Sequence, residues 1–434
     1  MPPTPSRGVE LLRWFARDRC LGRDLETGET FTVRGGIPGE RVEVRTTPRP
    51  SGIERRVETV LLASPSRITP SCPNAAICPG CSLLHLSGRD EDALVRLTLS
   101  EVLLRHAGVD WPAERIGLVV PTRRGGHRRR AWFELGRDGG RLIAGLRAHE
   151  GGVVDARECE ANHPDVTRVA RQVVEGLDEP GLDSRFEGFS VISGEGVAVV
   201  LQARDAAEAL GDDATARVVD ALLGAGVSAV ALSQGREPAR LIAGAWPASA
   251  PVAGLSVGSV GAGWVQPNPE AATGLYAWVE QVAAAEGLDV LDATCGTGVL
   301  SVVVGRTARG LLGVDANWPS VQGAQELARA LGLPHLRFAG GRIETVAPRL
   351  HARGERFDVT IVNPMRKSLG DETMVALAAM TRQRFIYLAP APRAGAEDVA
   401  RVLREGFELR EVVAANYHPG TGHAVMATLL ERTG

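Results

Sequence analysis

The sequence predicts an α/β protein made of an N-terminal OB-like β-barrel, a central α+β domain with a cysteine cluster, and a C-terminal Rossmann-like domain. Three observations support this. Short strands with Gly/Pro turns fill residues 8–62, three of six cysteines fall within 72–81, and strands alternate with helices from about residue 265 onward. We place the three domains at residues 1–64, 65–262 and 263–434.

The bulk composition is that of a globular protein, with 44% hydrophobic and 23% charged residues, which is ample to bury a core. No run of 18 apolar residues predicts a membrane span, and the Pro-rich start lacks the apolar stretch of a secretory signal, so we expect a cytoplasmic protein. The net charge of −3 does not by itself indicate a nucleic-acid partner.

The basic residues are almost all arginine, and five of them cluster within residues 123–130. Guanidinium suits phosphate and base stacking better than ammonium does. A genomic bias toward GC-rich codons would explain the overall ratio of arginine to lysine, but it would not explain this local cluster.

In the N-terminal part, apolar and polar residues alternate in 31–33 and 42–44, on either side of a Gly/Pro turn at 35–39. This pattern predicts a small barrel, a fold that often binds single-stranded nucleic acid. A barrel used only for packing is the alternative.

Farther along, periodicity predicts a helix at about 92–108 and another at 214–223. Buried strands are predicted within 197–202 and 227–232, and the C-terminal strands at 288–292, 310–315, 357–362 and 384–388. Strand–helix alternation at this spacing indicates a parallel, doubly wound sheet.

A glycine turn follows the strand that ends at Asp292, with Gly296 and Gly298 preceding a helix. Such a turn lets a ligand approach backbone N–H groups, and Asp315, at the end of the next strand, would accept hydrogen bonds from ribose hydroxyls. With Asn363-Pro364 after a further strand, the pattern fits the S-adenosylmethionine (SAM) site of class I methyltransferases better than the GxGxxG of NAD enzymes. Another nucleotide site, or a loop that has lost its ligand, are the alternatives.

The cysteines Cys72, Cys78 and Cys81 form a compact group, and Cys159 could complete a four-thiolate site. Thiolates at short spacing suit an iron–sulfur cluster or zinc, and spacing alone makes zinc the default. Buried cysteines without a metal are the alternative. We expect Cys20 and Cys295 to be packing residues.

Taken in order, these motifs resemble the RNA (uracil-5)-methyltransferase family. Residues 35–40 resemble its TRAM domain, 72–81 with Cys159 its cluster motif, and 292–298 its cofactor loop. Further similar segments are 127–129 with 145–147, which correspond to the central RNA-contacting segment, 264–268 around Gln266, and the C-terminal segments 419–423 and 429–432.

The resemblance implies a [4Fe–4S] cluster on Cys72, Cys78, Cys81 and Cys159, and RNA (rRNA or tRNA) as the partner of a monomer that does not bind membranes. It also implies that SAM binds at a set of residues along the C-terminal domain, namely Gln266, Asp292, Gly296, Gly298, Asp315 and Asn363.

Two catalytic groups of the family have no counterpart. Methylation at uracil C5 needs a thiolate that attacks C6 and a base that removes the C5 proton. The family's Ser-Cys-Asn-Pro is replaced by residues within 387–392, no cysteine follows Cys295, and Ala424 and Val425 follow His423 where the family has its glutamate.

The cofactor region also departs from the family. The family's Asp-Pro-Pro-Arg motif corresponds to residues 363–366, which begin with Asn363 in this chain. Arg342 replaces the family's acidic or amide residue after the third strand. Val299 replaces the polar residue that follows the family's glycine loop.

Three hypotheses follow. The one we favour is an RNA methyltransferase with altered chemistry, in which an amine or hydroxyl attacks the methyl group directly. The second is a non-catalytic RNA-binding paralogue, and the third is conventional C5 methylation with a replacement nucleophile. Asn363 and His423 are the candidate catalytic residues, and Tyr387 is a further polar residue expected near the reaction site.

Overall fold

Three β-sheets organise the described part of the chain. The computed structural model describes residues 7–16, 18–49, 52–119, 124–148, 151–210, 213–235, 237, 239–257, 266–365 and 367–434. Arg123, Trp264 and Arg366, which carry predictions from the sequence, lie outside these ranges.

The first sheet is a closed barrel, as predicted, with the strand order β1-β2-β3-β5-β4 among the residues described. Its interior is apolar, and Cys20 packs there with Val9, Leu11 and Val33. Cys20 is fully buried, so it is a packing residue, and burial raises the pKa of its thiol far above the ordinary value. The strands are β1 (Arg7–Ala16), β2 (Arg19–Asp24), β3 (Thr30–Arg34), β4 (Arg41–Arg49) and β5 (Gly52–Leu62).

The turn between β3 and β4 closes on a buried carboxylate. Glu40 is fully buried and accepts hydrogen bonds from the backbone N–H of Ile37 at 2.8 Å and of Ser64 at 3.2 Å. It also pairs with the Arg67 guanidinium at 2.5 Å. A Cβ on Gly36 would lie 2.0 Å from Leu11 Cδ1, so a larger residue there would have to displace the Leu11 side chain. This carboxylate therefore fixes the turn to the segment that follows the barrel.

A long helix and a short strand follow the cysteine segment: α1 (Gly88–Ala107) and β6 (Gly117–Leu118). The Ser87 hydroxyl caps α1 by accepting from the Asp90 N–H at 3.1 Å, and Gly108 ends the helix with φ 68°. The apolar side of α1 packs in the core of the C-terminal domain. Both elements lie within the segment 65–262 along the chain, but in space they belong with the C-terminal sheet: α1 packs on it, and β6 pairs with its strand at residues 407–418. The division at 262/263 falls outside the described residues.

The central sheet has, within the described ranges, the order β13-β12-β11-β10-β7-β8-β9. Helices pack on one of its faces, where Phe133, Phe189 and Val199 meet Val169 and Val173. The elements are β7 (Arg130–Asp138), β8 (Arg141–Arg147), β9 (Val153–Asp155), α2 (Pro164–Leu177), β10 (Phe186–Ser193), β11 (Val197–Ala203), α3 (Ala206–Leu210), α4 (Asp213–Gly224), β12 (Ala229–Gln234) and β13 (Arg240–Gly244).

The C-terminal domain is the predicted doubly wound α/β sheet, with apolar cores on both faces. Its elements are α5 (Pro269–Ala283), β14 (Asp289–Asp292), α6 (Val299–Gly305), β15 (Gly310–Asp315), α7 (Trp318–Ala330), β16 (Leu336–Gly340), α8 (Ile343–Ala352), β17 (Phe357–Val362), α9 (Asp371–Met380), β18 (Thr381–Ala389), α10 (Pro392–Arg404), β19 (Phe407–His418) and β20 (His423–Arg432).

The strand order in this sheet, for the residues described, is β16-β15-β14-β17-β18-β20-β19-β6. The strands from β16 to β18 are parallel, so their carboxyl ends share one edge of the sheet. The chain order reverses at β14, which places the loop after Asp292 at the crevice where α/β sheets bind ligands. None of the described helices is long and apolar enough to cross a membrane.

We predict that Glu40→Gln lowers the free energy of opening of the barrel by roughly 3 kcal/mol, because Arg67 loses its buried partner. Hydrogen-exchange mass spectrometry of peptides from β4 and β5 measures this locally. The matched control is Glu58→Gln, which removes an exposed pair with Arg45 on the same barrel. It should change the same quantity by about 0.5 kcal/mol or less.

The effect of Glu40→Gln should depend on pH. Burial opposes ionisation of Glu40, but the hydrogen bonds from Arg67, Ile37 and Ser64 outweigh it and hold the pKa of Glu40 below its ordinary value. The stabilisation is therefore complete above the ordinary pKa of 4.5 and is lost as the pH falls through the lower folded-state pKa. The difference between the two proteins should shrink in that acidic range; a constant difference would contradict the assignment.

Candidate cofactor site and cysteine cluster

The loop between β14 and α6 is held close to its neighbours by two glycines. Gly298 has φ 80°, and a Cβ there would lie 2.6 Å from the Ala324 Cβ. Gly296 has φ 52°, in the region that favours glycine. The predicted glycine turn is therefore required by the local geometry.

Asp292 lies beneath this loop and is 1% exposed. Its carboxylate accepts a hydrogen bond from the Ser301 hydroxyl at 2.6 Å and one from the Thr294 N–H at 3.4 Å. Burial raises the pKa of Asp292 to about 6, because these hydrogen bonds only partly offset the lost hydration. Asp292 thus braces the loop from inside.

Asp315 lies at the carboxyl end of the neighbouring strand and is only partly buried. One carboxylate oxygen accepts from the Gly296 N–H at 2.9 Å and the other from the Asn317 N–H at 2.8 Å. Because each oxygen has a further lone pair, the carboxylate can still accept hydrogen bonds from a ligand's hydroxyl groups.

A tryptophan that the sequence analysis did not single out stands beside Asp315. Trp318 begins α7 and is 55% exposed. A Cβ on Gly340 would lie 2.7 Å from Trp318 Cε3, so the indole occupies the space that this glycine leaves. Gly340 is the register partner of Asp315. The sequence does contain a signal for this position of Trp318. An aromatic residue follows shortly after the strand that ends in an acidic residue, and glycines stand at the end of the next strand.

Asn363 and Gln266 lie on two further sides of the loop. The Asn363 N–H donates to the Thr294 hydroxyl at 2.7 Å, which joins the end of β17 to the loop. The Gln266 side-chain amide donates to the Tyr276 hydroxyl at 3.2 Å. Asp292 acts electrostatically on Tyr276, so this tyrosine lies near the buried carboxylate. The residues predicted for the cofactor are thus gathered around one loop.

Three other residues singled out from the sequence lie in different surroundings, one buried and two exposed. The Tyr387 side chain is 1% exposed and donates to Asp398 of α10 at 2.6 Å, so the expectation that Tyr387 faces the reaction site is corrected. Arg342 is exposed and pairs with Glu344 at 3.1 Å. His423 is exposed at the start of β20, and its backbone N–H donates to the Thr421 hydroxyl at 3.2 Å.

Two hydrogen bonds bring the cysteine segments together. Asn74 donates to the Asp155 carbonyl at 2.9 Å, and the Ser71 hydroxyl donates to Glu160 at 2.8 Å. As a result, the loop with Cys72, Cys78 and Cys81 faces the turn that carries Cys159.

The four thiols are free and electrostatically coupled. The pKa of Cys81 is raised to about 11, first by burial and then by the other three cysteines, while Arg128 opposes the rise. Within the described ranges, no three His, Cys, Asp or Glu side chains are arranged for a single metal ion. Four thiols on two segments that face each other are nevertheless a donor set of the kind that suits an iron–sulfur cluster or zinc.

A second buried carboxylate connects the cysteine loop to the C-terminal hairpin. Glu91 of α1 is fully buried, pairs with Arg124 at 2.6 Å, and accepts from Asn416 at 2.9 Å and from the Gly420 N–H at 2.7 Å. The Gly420 carbonyl accepts from the Leu83 N–H at 2.8 Å. Arg124, one of the clustered arginines, is therefore a structural residue at the junction of these segments.

Comparisons with known proteins agree with this geometry. Residues 284–415 match a model described as a methyltransferase domain. An uncharacterised RNA methyltransferase of Halalkalibacterium halodurans is 27% identical, over 93% of this chain and 92% of the relative. A 23S rRNA (uracil(1939)-C(5))-methyltransferase of Xylella fastidiosa is 29% identical, over 94% of this chain and 93% of the relative.

Among solved structures, the tRNA (uracil-54, C5)-methyltransferase of Pyrococcus abyssi, crystallised with S-adenosyl-L-homocysteine, aligns with a TM-score of 0.75. The alignment covers 97% of this chain and 99% of that chain at 18% identity, which shows a shared fold. Together, these matches show that the chain is similar over nearly its whole length to RNA methyltransferases, among them uracil-C5 enzymes, that it shares the fold of one of them, and that residues 284–415 match a methyltransferase domain.

Proposed function

We propose that this protein is a cytoplasmic, monomeric SAM-dependent methyltransferase that acts on rRNA or tRNA without the covalent C5 mechanism. The proposal rests on the position of Asp315 next to the exposed Trp318, beside the glycine loop that contains Gly296 and Gly298. A carboxylate next to an aromatic ring at the carboxyl ends of parallel strands suits a nucleoside. The relatives' RNA substrates support RNA as the acceptor.

In this proposal Asp315 would accept hydrogen bonds from the ribose hydroxyls, and Trp318 would stack on the adenine. Gln266, Asn363 and the 292–298 loop would hold the rest of the cofactor. Bound SAM supplies a methyl group on a cationic sulfur, which any well-placed lone pair can attack. The protein's task is then to bind and orient the acceptor.

The missing thiol argues against attack on uracil C6. Cys295 is the last cysteine of the chain, is 7% exposed, and its pKa is raised far above the ordinary value, chiefly by burial. It is therefore a buried, protonated packing residue. A nitrogen or hydroxyl acceptor already has a lone pair and needs no such thiolate.

Asn363 and His423 are the side chains we propose for the acceptor. The Asn363 side-chain oxygen can accept a hydrogen bond from an exocyclic amine, and His423 can take a proton. The family's glutamate has no equivalent, because Ala424 and Val425 are both buried apolar residues of β20.

The alternative is an RNA-binding paralogue that no longer transfers a methyl group. It is favoured by the absence of both the thiolate and the glutamate, and it predicts that SAM does not bind. Cofactor binding therefore separates the two functions.

For the cysteine site we propose a [4Fe–4S] cluster bound by Cys72, Cys78, Cys81 and Cys159. The hydrogen bonds from Asn74 to the Asp155 carbonyl and from Ser71 to Glu160, which bring the 72–81 loop to the turn with Cys159, support a common ligand. The cluster would join the 72–81 loop to the turn at Cys159, on the side of the protein where Arg128 lies.

We predict that Trp318→Ala weakens binding of S-adenosyl-L-homocysteine about tenfold, because the adenine loses its stacking partner. Isothermal titration calorimetry measures this, and Trp318→Phe should retain most of the affinity. Asp315→Asn should weaken binding, whereas the control Asp289→Asn, at the opposite end of β14, should not. Unchanged binding in Trp318→Ala would refute the placement of the adenine, and no binding by the unaltered protein would favour the RNA-binding alternative.

We predict that deleting the gene removes one methylated nucleoside other than 5-methyluridine from rRNA or tRNA. Nucleoside mass spectrometry of both RNA pools detects the loss, and expression of the intact gene should restore the mark. Asn363→Ala and His423→Ala should lower methylation by about 100-fold if each assists the acceptor.

The same proposal excludes a covalent adduct. RNA that contains 5-fluorouridine traps an enzyme that attacks C6, because fluorine cannot leave as a proton. We expect no adduct that survives denaturing electrophoresis. An adduct, or the loss of 5-methyluridine, would show that C5 chemistry persists with another nucleophile.

We predict that Cys81→Ser lowers the iron content and visible absorbance of protein purified without oxygen, because one cluster ligand is weakened. Cys20→Ser is the control, since this cysteine packs inside the barrel. Metal analysis by mass spectrometry separates the outcomes: zinc in place of iron, or an equal loss in both variants, would contradict the assignment.

A further inference from the structure

The turn that joins β19 to β20, residues 419–422, lies directly against the cysteine segment. We call it the hairpin turn. Gly420 is in this turn and has φ 84°, a conformation that favours glycine. A Cβ on Gly420 would lie 3.6 Å from the Cys81 Cβ, 3.7 Å from the Cys81 Sγ and 3.0 Å from the Leu84 Cδ2. The backbone of the hairpin turn therefore packs on Cys81, one of the four proposed cluster ligands.

Two backbone hydrogen bonds hold the hairpin turn in this position. The Gly420 carbonyl accepts from the Leu83 N–H at 2.8 Å, and the Gly420 N–H donates to the buried Glu91 carboxylate at 2.7 Å. Arg124 pairs with the same carboxylate and also donates to the Leu83 carbonyl at 3.0 Å. Because Leu83 follows closely after Cys81, a displacement of Cys81 would be transmitted to Gly420 through Leu83.

The hairpin turn leads directly into His423. The Thr421 hydroxyl donates to the His418 carbonyl at 2.6 Å, and the His423 N–H donates to the Thr421 hydroxyl at 3.2 Å. His418 and His423 are register partners at the end of the β19–β20 ladder. The position of His423, which we propose as an acceptor-side residue, is therefore set by the same turn that contacts Cys81.

The cysteine segment has little regular structure to fix it in place. No helix or strand forms in residues 63–87, all of which the structure describes. In such a segment, bonds from thiolates to a common metal would do what backbone hydrogen bonds do in a helix or sheet, because metal binding and local folding are coupled. A metal bound at Cys81 would therefore also restrict the hairpin turn.

We propose that Gly420 is a positioning residue, through which a metal site at the four cysteines holds His423 in place. This inference rests on the proposed cluster and on the proposed role of His423. It gives the cysteine site a task in the reaction, which is to order the acceptor side of the methyltransferase domain by contact, without taking part in a chemical step.

The first test measures amide hydrogen exchange of the full-length protein, purified without oxygen, before and after a chelator removes the metal. Peptides that cover 416–425 should exchange about tenfold faster after removal, because the hairpin turn loses its ordered support at Cys81. Peptides from β12, which belongs to the separate core of the central sheet, should not change. Equal exchange at 416–425 with and without the metal would overturn the proposal.

The second test changes Gly420 and observes the metal site itself. Gly420→Ala strains the hairpin turn against Cys81, so the variant should release its metal to a chelator about tenfold faster and shift the visible absorption of the loaded site. The matched control is Gly406→Ala, at the other end of β19. It introduces a similar strain at φ 81°, but its Cβ would meet the Thr433 hydroxyl at 3.7 Å. If the two variants had the same effect on metal release and absorption, Gly420 would have no specific link to the cysteines.

A third measurement follows His423 directly. In protein with ¹³C-labelled histidine, the signal of His423 is assigned from its absence in His423→Ala. With the metal bound, this signal should shift in Gly420→Ala and stay in place in Gly406→Ala. Calorimetry with S-adenosyl-L-homocysteine verifies that each variant is folded. If Gly420→Ala does not fold, the exchange comparison on the unaltered protein decides the proposal.

The outcomes separate this inference from the proposed function. If the metal is present and its removal leaves exchange at 416–425 unchanged, the link through Gly420 is wrong, and the cluster and methyltransferase proposals stand. If the protein holds zinc, the cluster is misassigned, but faster exchange after zinc removal would still support the link. If it holds neither metal, the cluster proposal and this inference both fail, and cofactor binding alone decides the methyltransferase proposal.

Discussion

The buried pair between Glu91 and Arg124 is the contact on which the arrangement of the domains depends. Glu91 lies on α1, Arg124 precedes the first strand of the central sheet, and Asn416 and Gly420 belong to the C-terminal hairpin. A fully buried carboxylate costs several kcal/mol of stability unless its oxygens are paired. The three segments that supply these partners are therefore held together around Glu91. The cysteine loop joins the same network through Leu83 and Arg124. The cysteine loop, α1 and the C-terminal hairpin therefore meet at one buried junction.

The candidate cofactor site shows how environment separates two carboxylates of the same motif. Asp292 is almost fully buried, bonds to Ser301, and has a pKa raised to about 6, whereas Asp315 is partly exposed and bonds to two backbone N–H groups. The first shapes the loop, and the second has lone pairs left for a ligand. Three features of the candidate site limit the reactions that it can support. Cys295 is buried, His423 is exposed, and apolar residues stand where the similar family has its base. The proposed transfer to an acceptor that carries its own lone pair rests on these features.

Many elements could be predicted because their signals are local. The alternation around 31–44 indicates the barrel, and the strand ends at Asp292 and Asp315 indicate the parallel sheet; the structure confirms both. Tyr387 and Arg124 could not be assigned in this way. Tyr387 belongs to a strand whose direction relative to α10 is set by packing, and Arg124 finds its partner 33 residues earlier in the chain. Periodicity predicts which face of a strand or helix is buried, but it does not predict which elements pack against that face.

By itself, the sequence determined the order of the three domains, the glycine loop, the group of cysteines, and the absence of any thiol after Cys295. These are properties of composition and short spacing, where turn geometry and ligand chemistry act over a few residues. Only the tertiary structure shows that Trp318 lies against Gly340 beside Asp315, and that Trp132 lies against Gly188 of the neighbouring strand. In both cases a glycine on a neighbouring strand leaves room for the indole. Which strands become neighbours is decided by long-range pairing and burial, so an isolated tryptophan in the sequence gives no sign of either contact.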